Sequence, residues 1–303
     1  MSIYLPIAGL SVNILALLLL GGGVGFLSGL FGVGGGFLLT PLLIFLGIPS
    51  PVAVASGANQ VVGASVSGVI AHWRRSNVDL KMGLVLVCGG MLGSLAGVWV
   101  FGRLRALGQV DLLINLCYVL FLGFVGGTML IESARALFMA HRPVLRRKRH
   151  RHRWANLPFK MRFPRSGLYI SALLPLSVGA IAGVLSAIMG VGGGFIMVPM
   201  MIYLLEMPTS VVIGTSLFQV VFVTANVTFL QAVHTQTVDV VLMLTLLIGG
   251  VIGAQLGARF ASRLRAEHTR MLLALLVLAV CGRLLFELMH TPDDVYSLAE
   301  NLG

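Results

Sequence analysis

The sequence GVGGGF occurs twice in this chain, at residues 32–37 and again at residues 190–195. Both copies lie in apolar surroundings, since 57% of the 303 residues are hydrophobic and only 10% are charged. A water-soluble domain of this size needs more polar surface to cover its core. The composition therefore indicates a protein whose main solvent is the lipid bilayer.

Eight apolar runs are long enough to cross a hydrocarbon core of ~30 Å as helices, which takes about 20 residues each. They are residues 11–31, 52–71, 82–101, 111–133, 167–189, 210–230, 239–258 and 270–289. The first run has no basic segment ahead of it, so we expect it to be a permanent span and not a cleaved signal peptide. The sequence predicts a multi-span helical protein.

Aligning the two glycine motifs brings the two halves of the chain into register, which indicates an internal duplication. The matched pairs include Gly21 with Gly179, Gly25 with Gly183, Pro41 with Pro199, Pro49 with Pro208, Gln60 with Gln219, NVD at 77–79 with TVD at 237–239, and the glycines at 89, 93 and 97 with those at 249, 253 and 257. We predict a first repeat at residues 1–134, a basic linker at 135–166, a second repeat at 167–290 and an acidic tail at 291–303.

The positive charges predict how the repeats are oriented. Residues 135–165 hold eleven of the twenty-one Lys and Arg and no acidic residue, which places the linker in the cytoplasm. With four spans per repeat, the arginines at 259–270 would lie outside and the uncharged loop QAVHTQT at 231–237 inside, against the charge rule. If the chain instead turns back across the membrane at each GVGGGF segment, each repeat has five crossings. Only Arg103 and Arg105 then disagree with the charge rule.

We therefore expect an all-α integral membrane protein with two inverted five-element repeats, about ten transmembrane or half-membrane helices, and glycine-interrupted helical hairpins. A parallel four-plus-four arrangement is the alternative. The segment after the first motif, residues 35–48, spans only ~21 Å as a helix, less than the ~30 Å of the hydrocarbon core. One end of that helix must lie at membrane depth.

Non-helical backbone is tolerated at that depth only where it faces protein or a water-filled cavity. The N–H groups that begin the next helix attract anions, and glycine-interrupted segments at matching positions of two repeats mark the central site of transporters. Close helix packing is the alternative role for the glycines, and the better one for those at 89–97 and 249–257. We predict that an anion is bound by the backbone amides of Gly34, Gly35, Gly36, Gly192, Gly193 and Gly194.

The span after each motif carries a polar stripe, because residues four and seven apart share one helical face. The stripe consists of Ser56, Gln60 and Ser67 in the first repeat and of Thr215, Gln219 and Asn226 in the second, with Asn59 beside it. Interhelical hydrogen bonds are one explanation. The other is a substrate path, because amides and hydroxyls donate to anionic oxygens. On that hypothesis Ser56, Gln60, Thr215 and Gln219 orient the substrate, and Asn59 and Asn226 complete the site.

The distribution of acidic residues favours an anionic substrate. All ten carboxylates fall in loops, in tails or at the ends of spans, whereas a cation carrier usually keeps one at depth. No His, Asp, Glu or Cys recurs at a metal-binding or catalytic spacing, so we expect no metal, no cofactor and no enzymatic activity. The basic linker is expected to fix topology and lie against anionic lipid, and not to bind nucleic acid.

The pattern GxxGxGGGxxxxP at residues 29–41, and less fully at 187–199, is followed by a Ser/Thr-containing span, a VD loop and a GGxxGxxxG span. This order resembles the TauE/SafE sulfite exporter family of membrane permeases over nearly the whole chain apart from the linker and the tail. The resemblance implies a multi-pass protein of the bacterial inner membrane. Family members move sulfite, sulfoacetate or related sulfur-containing anions, commonly outward.

The expected function is thus secondary transport of a small sulfur-containing anion by alternating access. An anion channel and a non-transporting membrane scaffold or assembly factor are the alternatives. The second motif departs from the family pattern at Ala187 and Met189, which stand where the first has Gly29 and Phe31. We therefore expect the two half-sites to contribute unequally.

Overall fold

The computed structural model describes residues 2–31, 36–108, 110–138, 158–261 and 266–289. In this part of the chain each repeat has the same order of elements, a β-hairpin followed by five helices. The first repeat comprises β1 (Ser2–Leu5), β2 (Leu10–Asn13), α1 (Ile14–Phe31), α2 (Gly36–Phe45), α3 (Ser50–Arg74), α4 (Leu80–Ala106) and α5 (Val110–Phe138). The second comprises β3 (Lys160–Phe163), β4 (Leu168–Ser171), α6 (Leu173–Met189), α7 (Gly194–Tyr203), α8 (Thr209–His234), α9 (Val240–Ala261) and α10 (Ala266–Met289).

The structure confirms the expected all-α membrane fold. Five of the described helices are long and apolar enough to cross a bilayer, namely Ser50–Arg74, Leu80–Ala106, Val110–Ile131, Val211–His234 and Val240–Gly257. The helices after the two glycine motifs, α2 and α7, have only 10 residues each, which is about 15 Å of helix. They are the short elements that the sequence predicts.

Two apolar runs begin with a strand and not with a helix. Residues 11–13 belong to β2, and residues 168–171 form β4, which pairs antiparallel with β3. Each hairpin also contributes buried apolar side chains, Leu5 in the first hairpin and Phe163, Leu168 and Ile170 in the second. The expected boundary between linker and second repeat, at 166/167, falls in the turn of the second hairpin. Residues 139–157 of the linker and the tail from 290 lie outside the described residues.

Corresponding helices of the two repeats run in opposite directions. The thiol of Cys281 on α10 lies 3.4 Å from the carbonyl oxygen of Val119 on α5. Further along α5, a Cβ on Gly126 would lie 2.9 Å from Val277. The residue number therefore rises along α5 while it falls along α10. Equivalent helices are antiparallel only when the axis relating them is perpendicular to both, as in inverted-topology repeats.

The repeats are interlaced, because α1 of the first packs along α9 of the second, and α6 packs along α4. Small residues allow these helix pairs to approach closely. A Cβ on Gly253 of α9 would overlap the carbonyl oxygen of Gly22 on α1, and a Cβ on Gly93 of α4 would overlap that of Ala180 on α6. The packing interpretation of the glycine series on α4 and α9 is thereby confirmed.

Each hairpin is attached to the helix that starts after the VD loop of the other repeat. The backbone N–H of Ile7, in the first hairpin, donates to the carboxylate of Asp239 at 3.0 Å. The N–H and hydroxyl of Ser166, in the second, donate to the carboxylate of Asp79 at 2.9 and 2.7 Å. Both aspartates are buried and also accept hydrogen bonds from the first turn of the helix that follows, as N-caps do.

These contacts define two ends of the molecule. The first hairpin, the start of α9 and the end of α8 lie at one end, together with the end of α4, where Arg105 donates to the carbonyl of Thr235. The second hairpin and the start of α4 lie at the other end, one helix length of about 40 Å away. Arg103 and Arg105 therefore lie at the end opposite the hairpin that follows the basic linker.

Candidate functional site

The second glycine motif joins α6 to α7 through a turn with unusual backbone angles. Gly190, Gly192 and Gly193 have φ of 69°, 73° and 74°, a region that side chains other than glycine rarely adopt. Space is also short there, since a Cβ on Gly192 would lie 2.6 Å from Val61 on α3 and 2.8 Å from the hydroxyl of Thr224 on α8. The motif thus packs tightly against both α3 and α8.

The two motifs meet at the centre of the structure. The rings of Phe37 and Phe195 stack with centroids 4.3 Å apart and planes 16° from parallel. A Cβ on Gly36 would lie 3.1 Å from the carbonyl oxygen of Val191. Because the two phenylalanines occupy the same position in their repeats, the stack lies on the axis that relates the repeats. Gly34 and Gly35 lie outside the described residues, and Gly36 is the first residue of α2.

Helix α7 presents backbone donors at this meeting point. Its N-cap is Gly193, which has no side chain to accept the N–H groups of the first turn. The first intrahelical bonds run from Ile196 and Met197 to the carbonyl of Gly193. The N–H groups of residues before these are the unsatisfied donors of a helix start, and they carry the positive end of the helix dipole.

Gln219, one of the predicted orienting residues, lies on α8 and is completely buried. Within the described part of the chain neither its amide nitrogen nor its amide oxygen has a hydrogen-bond partner. The amide lies against α4, where a Cβ on Gly90 would be 2.9 Å from the Gln219 nitrogen. Buried carboxamides are nearly always hydrogen-bonded in proteins, because leaving one unpaired costs about 1–3 kcal/mol. Gln219 is an exception to this rule within the described residues.

Gln60, the equivalent residue on α3, is only half satisfied. Its amide nitrogen donates to the carbonyl of Gly21 at 2.9 Å, while its oxygen has no partner among the described residues. Its side chain fills the space in front of Gly250 on α9, where a Cβ would overlap it. Each glutamine therefore lies on a glycine of the other repeat, but the two amides are not used alike.

Two buried hydroxyls on the same helices as these glutamines are absent from the sequence prediction. Ser65 and Thr224 occupy equivalent positions, five residues after Gln60 and Gln219, and both are completely buried. Their oxygens have no hydrogen-bond partner in the described ranges. Helical periodicity misses them because they lie off the stripe that runs through Ser56 and Thr215. Their recurrence as Ser and Thr in both repeats is the signal that identifies them.

Ser56 and Thr215 make matching bonds between the repeats. The hydroxyl oxygen of Ser56 accepts from the backbone N–H of Asp239 at 2.9 Å, and that of Thr215 accepts from the N–H of Asp79 at 3.0 Å. Both hydroxyls are buried. These two hydrogen bonds therefore connect α3 to the start of α9 and α8 to the start of α4.

The two predicted asparagines also differ in their surroundings. The amide nitrogen of Asn226 donates to the hydroxyl of Ser94 at 2.8 Å, an interhelical bond between α8 and α4. Asn59 is half-buried on α3, and its amide nitrogen has no partner within the residues described. Asn226 therefore fits the interhelical explanation, whereas Asn59 has an unused donor.

The centre of the molecule carries no formal charge in the described residues. The buried acids of the described residues, Asp79 and Asp239, lie at the two ends of the molecule and are bonded at helix starts, and no described Lys or Arg is buried. No group of three or more His, Cys, Asp or Glu in the described ranges is arranged to hold a metal ion. A ligand at this site therefore interacts with N–H, amide and hydroxyl dipoles.

Comparisons of the sequence with known proteins identify its family. The family model described as "Sulfite exporter TauE/SafE" matches residues 17–284. "Probable membrane transporter protein YjnA" of Bacillus subtilis is 27% identical over 87% of this chain and 96% of its own length. A "Probable membrane transporter protein" of Xylella fastidiosa strain 9a5c is 32% identical over 82% of this chain and 84% of its own length. No solved structure shows a significant match. The chain therefore belongs to the TauE/SafE family, a family of membrane transporters.

Proposed function

We propose that this protein is a secondary transporter that exports a small sulfur-containing anion, such as sulfite or an organosulfonate, across the bacterial inner membrane. The observation that carries the proposal is the unpaired, buried carboxamide of Gln219 on α8, one of the two helices against which the second glycine motif packs. The family description, which names sulfite export, supports the substrate class. The basic linker at 135–166 lies in the cytoplasm in this proposal, and the first hairpin lies outside.

The donor set suits a sulfite or sulfonate group. Such a group spreads its negative charge over three oxygens, each of which accepts hydrogen bonds. The proposed neutral donors are the backbone N–H groups at Gly193 and Gly194, the amide of Gln219 and the hydroxyls of Ser65 and Thr224. In this proposal Gly34, Gly35 and Gly36 contribute the equivalent amides of the first repeat, and Gln60 and Asn59 contribute their unused amide atoms.

Transport by alternating access requires the centre to open to one side at a time. In the structure, residues 190–197 of the second motif are all buried, so the site is enclosed on the side of that motif. The bonds of Ser56 to Asp239 and of Thr215 to Asp79 lie at opposite ends of the molecule. We propose that one of these two contacts loosens when the corresponding side opens, while the other stays closed.

The test is sulfite flux into proteoliposomes that contain the purified full chain. Gln60→Ala and Gln219→Ala should each lower the flux about tenfold or more, whereas Gln255→Ala, an exposed glutamine on α9, should leave it unchanged. Normal flux in both central variants would contradict the site. Flux that does not saturate with sulfite concentration would indicate a channel. A wild-type protein with no flux and no anion-dependent thermal stabilisation would indicate a scaffold.

A further inference from the structure

A groove separate from the central site lies between the last turns of α4 and α8. Its volume is about 380 Å³, and its lining includes Leu95, Val98, Trp99, Arg103, Leu230 and His234. The groove is at the end of the molecule that holds the first hairpin, opposite the end that holds the second. Nothing in the proposed transport site requires it.

One part of the groove is cationic and aromatic. The guanidinium of Arg103 lies 5.2 Å from the centroid of the Trp99 ring, within the range of a cation–π contact. His234 and Thr235 line the same part, and no acidic residue lines the groove. The neighbouring Arg105 is bound to the carbonyl of Thr235, which joins the ends of α4 and α8 on either side of the groove.

The remainder of the groove is aliphatic and faces outward. Leu95 and Trp99 are 51% and 64% exposed, one turn apart on α4, a helix long and apolar enough to span the bilayer. Val98 and Leu230 form the wall behind them. Tryptophan is enriched where a membrane helix leaves the hydrocarbon for the headgroup layer, so the change from aliphatic to cationic lining occurs at that depth.

The position of Arg103 requires a reason other than topology. Arginines that orient a membrane protein are concentrated on the cytoplasmic side, and the basic linker already provides that bias. In the proposed orientation, on which this step rests, Arg103 lies at the outer end of α4, where the positive-inside rule disfavours it. A guanidinium in a groove between membrane helices provides an ion-pair and hydrogen-bond partner for a lipid phosphate.

We infer that this groove binds one anionic phospholipid, with its phosphodiester on Arg103 and an acyl chain along Leu95, Val98 and Leu230. A small free anion would use the cationic part but would gain nothing from the aliphatic wall. A zwitterionic lipid would gain the wall, but its own cationic group would offset the attraction of its phosphate to Arg103. The combined lining therefore selects a lipid with a net negative headgroup.

The experiment is native mass spectrometry of the purified full chain with phosphatidylglycerol or phosphatidylcholine added in equal amounts. Wild type should retain phosphatidylglycerol in preference, and Arg103→Gln should bind it about fivefold more weakly, the factor that ~1 kcal/mol per interfacial arginine predicts. The matched control is Arg162→Gln, an exposed arginine of β3 at the other end of the molecule, which should bind as wild type does.

Equal loss of phosphatidylglycerol in the Arg103 and Arg162 variants would overturn the inference, because the effect would then be one of total charge. Equal retention of the two lipids by wild type would also overturn it. A third arm adds soluble glycerol phosphate in excess. Displacement of the lipid by this headgroup alone would show a free-anion site, whereas continued retention supports a lipid site. A thermal unfolding curve of Arg103→Gln that matches wild type would show that the loss of binding does not come from misfolding.

Discussion

Replacing Gln219 by methionine tests the central observation about the site directly. Methionine has nearly the shape of glutamine but no polar atoms, so it removes the unpaired carboxamide and keeps most of the packing. The carboxamide is completely buried, and neither of its atoms is bonded within the described residues. The substitution should therefore make the empty transporter more stable while it impairs transport. That combination is unusual for a change at a fully buried position.

The magnitude follows from the contacts. A buried amide without a partner costs about 1–3 kcal/mol, and a volume-conserving exchange costs less than about 1.5 kcal/mol in packing. The expected net effect of Gln219→Met is a gain of about 1 kcal/mol in unfolding free energy. Gln60→Met is the matched comparison, because Gln60 donates to the carbonyl of Gly21 at 2.9 Å. Losing that bond costs about 1 kcal/mol and the exchange adds its own packing cost, so the sign is opposite.

The assay is thermal unfolding of the two variants and the wild type in detergent, with and without sulfite. Without sulfite, Gln219→Met should be the most stable of the three proteins and Gln60→Met the least stable, with wild type between them. At about one hundred times the dissociation constant, bound anion stabilises wild type by about 2.7 kcal/mol, and Gln219→Met should gain clearly less. If both variants lose the same stability, Gln219 has a partner in the folded protein, and the argument from an unpaired amide is wrong.

Three further changes test the fold around the site. Asp239→Ala removes the acceptor for the Ile7 N–H and for the first turn of α9. It should lower the unfolding free energy by about 2–4 kcal/mol, and a loss below about 1 kcal/mol in chemical denaturation would contradict this role. Gly192→Ala should reduce both folding yield and sulfite flux, because its φ is positive and its Cβ meets α3 and α8. Gly9→Ala, also at positive φ but in open space, is the control and should cost only about 1 kcal/mol. A cysteine at Thr235 should react with an impermeant maleimide from outside the cell; labelling only from the cytoplasm would refute the proposed orientation.

The overall architecture follows from the sequence because its determinants are local. The length of each apolar run can be compared with the known thickness of the bilayer, and the basic residues indicate which side each loop occupies. The repeated motif indicates that both halves of the chain have the same fold. The short helices α2 and α7 and the close packing at Gly93 and Gly253 are anticipated from such local patterns. Membership of the TauE/SafE family is anticipated from the resemblance of the glycine motifs. The hairpins are not, since a four-residue apolar strand has the same composition as the start of an apolar helix.

Which polar side chains stay unpaired is a property of the tertiary structure. Helical spacing places Ser56 and Thr215 in one stripe with the glutamines, but their partners are backbone groups 183 and 136 residues away in the chain. Ser65 and Thr224 lie off that stripe, yet their hydroxyls are among the buried groups left without partners in the described residues. A periodicity specifies the face on which a side chain lies, and only the packing of the other repeat against that face decides whether its hydrogen bonds are used.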